Sequence, residues 1–85
     1  MGEHLSREQR RVGQALFDAV HDRFPDVVLR GMQRSPEDPR TVWVVVQLPA
    51  DEDREIAVRE FAAERSTDLL LEGEGSALIA SGVAA

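Results

Sequence analysis

Two hydrophobic periods alternate along this 85-residue chain and divide it into five elements. The most strongly determined runs from Thr41 to Leu48, Thr-Val-Trp-Val-Val-Val-Gln-Leu, where five of eight residues are β-branched and one is tryptophan. That composition suits a pleated, buried surface and loses side-chain freedom in a helix. Alternation puts Val42, Val44, Val46 and Leu48 on one face of a strand, with Trp43, Val45 and Gln47 on the other. A strand apolar on both faces belongs in the middle of a sheet, or at a surface that something else covers.

Upstream, the period is helical. Ser6 with Gln9 three residues later forms a capping box, so a helix begins near Ser6. Val12, Ala15, Leu16, Ala19 and Val20 make one stripe, with Phe17 and Phe24 at its margin and Arg11, Gln14, Asp18, His21 and Asp22 opposite. Gly13 weakens this helix by roughly 1 kcal/mol relative to alanine and marks a close backbone approach. Pro25 ends it at or before Phe24. From Val27 to Gln33 the period returns to two, with Val27, Leu29 and Gly31 set against Val28, Arg30 and Met32. This is the natural partner strand for Thr41–Leu48, joined to it by the loop Arg34-Ser-Pro-Glu-Asp-Pro-Arg40.

Pro49 stops the central strand, and Asp51-Glu-Asp53 opens a second helix with carboxylates where the N-terminal dipole favours them. Ala57, Val58, Phe61 and Ala62 face inward, Glu55 and Arg59 form an i,i+4 pair, and Ile56 falls on the opposite face. Two continuations fit the rest. The helix runs to about Leu71 with Leu69 inward and Gly73 as its left-handed C′ residue, and one strand follows from Ser76 to Ser81. Alternatively it ends near Arg65, and Leu69-Leu-Leu71 pairs with Ala77–Ala80 across a Glu-Gly-Glu-Gly turn as a fourth strand. The first avoids spreading three leucines over both faces of an edge strand. The expected architecture is α+β in the order α-β-β-α-β, two helices on one face of a three-stranded, or four-stranded, sheet. Residues Val83-Ala84-Ala85 are expected to fray.

Length restricts this to one domain spanning residues 1–85, since so short a chain buries only roughly 60–70% of its extended surface. An apolar fraction of 42% and a charged fraction of 31% are those of an ordinary globular domain. Cysteine is absent, which removes disulfides, thiolate catalysis and cysteine-ligated zinc. The net charge of −6 opposes non-specific binding to nucleic acid or anionic lipid, and all basic residues are arginine. No apolar run approaches the roughly 20 residues that cross a bilayer. The N-terminus has no apolar signal region, so a cytoplasmic protein is expected; Met-Gly-x-x-x-Ser matches a loose myristoylation pattern with no second anchoring signal beside it.

Candidate chemistry is sparse. His21 lies between Asp18 and Asp22, but His4 is the only other histidine, which leaves no metal set. Gly73-Glu-Gly75 lacks the third glycine of a dinucleotide loop. Ser6 and Ser35 lack a histidine base. Arg7, Arg10 and Arg11 form the one basic cluster, beside Glu3 and Glu8 on a solvated helix face.

The order of segments carries one resemblance. A helix ending in Arg-Phe-Pro, the segment Val27-Val-Leu-Arg-Gly31, a short acidic loop, Val42-Trp-Val-Val-Val, an acid-rich helix start and a last strand after a glycine resemble the minimal nucleotidyltransferase proteins over residues 12–81. That family carries Gly-Ser at the end of its first strand and Asp-x-Asp leading into its second. Gly31 matches. Met32 stands at the serine position, and Thr41 and Trp43 stand at the metal-binding aspartates. Nucleotidyl transfer needs those carboxylates to hold magnesium, so the resemblance implies a domain inert in that reaction.

Two functions are therefore expected. The first is a non-catalytic domain without cofactor, metal, nucleic-acid or membrane partner, acting through protein contact or self-association at Met32, Trp43, Val45 and Ile56. The alternative is a diverged nucleotidyltransferase-like domain that binds a nucleotide at Arg30, Gly31 and Arg34.

Overall fold

The computed structural model describes residues 5–81. Its elements run α1 (Arg7–Arg23), β1 (Val28–Arg34), β2 (Thr41–Gln47), α2 (Glu52–Leu71) and β3 (Ser76–Ala80), an α-β-β-α-β order. The expected fraying of Val83-Ala84-Ala85, His4 and the first residues of the myristoylation pattern lie outside the described residues.

Local chemistry accounts for the limits of α1. Ser6 Oγ accepts from the Gln9 amide at 3.1 Å while Gln9 Oε1 accepts from the Ser6 amide at 2.9 Å, the reciprocal bonds of a capping box. At the other end the Phe24 amide still donates to the Val20 carbonyl, and Pro25 then stops the helix. Val12, Leu16, Val20 and Phe24 are buried in the core. Gly13 is buried with them, because α1 crosses the sheet there at close range: a β-carbon on Gly13 would lie 2.9 Å from Met32 Sδ and 3.2 Å from Val42 Cγ1.

The sheet order is β1-β2-β3, with β1 antiparallel and β3 parallel to β2. On the inner face, under the helices, Val42, Val44 and Val46 are almost wholly removed from water. Trp43 and Val45 point the other way and belong to no part of the core cluster. The expected division of β2 holds, with the strand closing at Gln47 instead of Leu48.

In β1 the expected division holds only for its first half. Leu29 pairs with Val46, but the next paired residue is Gly31, opposite Val45, so Arg30 is an extra residue in a β-bulge. One inserted residue reverses the parity of everything beyond it. Gly31 therefore shares the outer face with Val45, and Met32 shares the inner face with Val44 and packs against the core. The grouping of Met32 with Trp43 and Val45 is thereby corrected.

Of the two continuations of the tail the first holds: the helix runs to Leu71 and a single strand follows from Ser76, with no fourth strand from Leu69-Leu-Leu71. Asp51 caps α2, accepting from the Arg54 amide at 3.3 Å. At the far end the Gly73 amide donates to the Leu70 carbonyl and the Glu74 amide to the Leu69 carbonyl, the paired bonds of a Schellman motif, with Gly73 at φ 80°. Val58, Ala62, Ser66 and Leu69 are buried, and Leu70 and Leu71 are exposed. The sheet is three-stranded, and α2 supplies the long crossover that a parallel β2–β3 pair requires. No helix among the described residues is long and apolar enough to cross a membrane.

Candidate protein-contact surface

Two helices lie on one side of the sheet, and no described element covers the other. Cross-strand register defines that outer face. Gly31 stands beside Val45, which stands beside Ala80; Gln33 stands beside Trp43, which stands beside Leu78; Val28 stands beside Gln47. Trp43, Val45 and Ala80 are half-buried, while Val28 and Leu78 are 46% and 48% exposed. A β-carbon at Gly31 would meet nothing within 4 Å, so the space above it is open, and its cross-strand neighbour is Val45 while Gln33 is that of Trp43.

Both rims of the sheet are guarded. At β3 the Ser66 hydroxyl of α2 donates to the Ala77 carbonyl, and Arg59 Nη2 donates to Ser81 Oγ at 2.7 Å, so α2 reaches over that edge. At β1 the bulge at Arg30 breaks the ladder, a common device for blunting an edge strand. The unguarded surface is the face between them.

The other expected site residues disperse. Ile56 is 47% exposed on α2, on the helix side of the molecule and away from Trp43 and Val45. Arg30 is exposed in the bulge, Gly31 lies on the outer face, and Arg34 pairs with Val42 and so belongs to the inner side. These three do not converge on one point. Arg34 instead lines a shallow groove with Gln33, Ser35, Pro36 and Pro39 at the β1–β2 loop. Ser35 organises that loop: its hydroxyl accepts from the amides of Glu37 and Asp38 at 3.2 and 3.3 Å, which is a turn-forming role.

Position by position, the nucleotidyltransferase comparison meets apolar or structural roles. Met32 points into the layer beneath α1. Thr41 Oγ1 is hydrogen-bonded to Ser76 Oγ at 2.9 Å, and Trp43 is on the opposite face from Met32. His21 packs against Phe17 with the two rings tilted by 60° and their centroids 5.3 Å apart. Among the described residues no group of three or more His, Cys, Asp or Glu side chains converges as a metal set would.

Ion pairs are spread along α2 and over the β1–β2 loop. Arg54 makes a bidentate pair with Asp26, Nε to Oδ2 at 2.7 Å and Nη2 to Oδ1 at 2.8 Å, and its guanidinium lies 5.2 Å from the Phe24 ring centroid. Those hydrogen bonds hold the Asp26 carboxyl below its ordinary range and raise Arg54 above its own. Asp38 is also lowered, chiefly by the Arg40 amide that its side chain accepts. These groups tie the α1–β1 turn to the start of α2 and close the β1–β2 loop.

Leu78 escaped sequence reasoning as a member of the outer face, and Val28, which alternation set on the side of Met32, was not among the expected contact residues. Alternation within Ser76–Ser81 contained the signal for Leu78, but its sign depends on the β2–β3 register, which is set by packing. No family model, no curated protein and no solved structure matches the chain.

Proposed function

We propose that this chain is a small non-catalytic domain that works through protein contact, with the helix-free face of its sheet as the contact surface. The observation that carries this is the outer row of Val28, Trp43, Val45 and Leu78 on a face that neither helix covers. Contiguous apolar surface of this kind marks interaction sites on folded domains, and tryptophan is enriched among residues that dominate binding energy. Nucleotide binding at Arg30, Gly31 and Arg34 receives less support, because Gly31 and Arg34 lie on opposite faces of β1. Absence of chemical-shift change near Gly31 on titration with magnesium and ATP is the expected result there.

A photo-cross-linking amino acid at position 43 tests the contact reading in cells that make the protein, with position 53 on the exposed start of α2 as control. A discrete adduct from 43 and none from 53 is expected. Equal or absent adducts at both positions contradict the proposal.

A further inference from the structure

We draw no further inference here: the strongest candidate, the apolar patch of Val28, Trp43, Val45 and Leu78 on the helix-free face of the sheet, is the contact surface already proposed, and nothing in the structure shows what covers it.

Discussion

Gly13 of α1 and Met32 of β1 face each other across the helix–sheet layer so closely that a β-carbon on the glycine would stand 2.9 Å from the methionine sulfur. The glycine is where α1 comes down onto the sheet, and the methionine is on the inner face only because of the bulge at Arg30.

Substituting Gly13 with alanine sets two effects against each other. Helix propensity favours alanine by about 1 kcal/mol, and overpacking a filled site costs about 1–3 kcal/mol. Met32 is half-buried and its thioether can swing aside, but Val42 is fully buried and stiff at χ1, with its Cγ1 3.2 Å from the new methyl. The second effect wins. Urea unfolding of Gly13→Ala should show a net loss of about 1 kcal/mol, part of it recovered in the Gly13→Ala, Met32→Ala double variant.

Ser66 is a buried polar residue in the middle of α2, and its hydroxyl is bonded to the Ala77 carbonyl of β3. Ser66→Ala leaves that carbonyl without the bond and should cost about 1–3 kcal/mol. Thr67→Ala, one residue along on the exposed side, should change stability by less than about 0.5 kcal/mol. Equal effects at both positions would mean the Ser66 bond contributes nothing specific.

Gly73 ends α2 at φ 80°, where a side chain meets its own backbone. Gly73→Ala should lower stability by about 1–2 kcal/mol, through strain alone because open space surrounds the position. Gly31→Ala, equally open but at negative φ, should be close to neutral in unfolding experiments.

The Asp26–Arg54 pair predicts one component of the pH dependence. Asp26 is held below its ordinary value of 3.8 by the Arg54 hydrogen bonds, so the folded chain binds that proton less readily than the unfolded one. The contribution is fully present above the unfolded value and is lost as pH falls through the folded one. Stability should decline below about pH 4, and Asp26→Asn should flatten that decline. An unchanged acid limb in the variant would assign the decline to other carboxylates.

Much of this fold was legible because its strongest signals are local. Ser6 with Gln9, the β-branched run of β2 and the glycine after Leu71 each act through neighbours a few residues away. The bulge at Arg30 was not legible: nothing in Val-Leu-Arg-Gly-Met distinguishes a regular strand from one with an inserted residue, and the choice is made by seating Leu29 and Met32 together under α1. That one residue moved Met32 off the outer face and Gly31 onto it. Ser66 was missed for a related reason, since its value depends on a carbonyl eleven residues away in a strand whose parallel partner only the tertiary fold defines.

Trp43 is the sole tryptophan and sits in the centre of the helix-free face, so a fluorine label on its ring reports directly on whether another molecule covers that face. In cells that make the protein with fluorotryptophan, its fluorine NMR resonance should be shifted and broadened relative to that of the isolated chain, beyond the broadening of a reference protein of the same size in the same cells. A resonance in cells that matches that of the isolated chain would contradict the account.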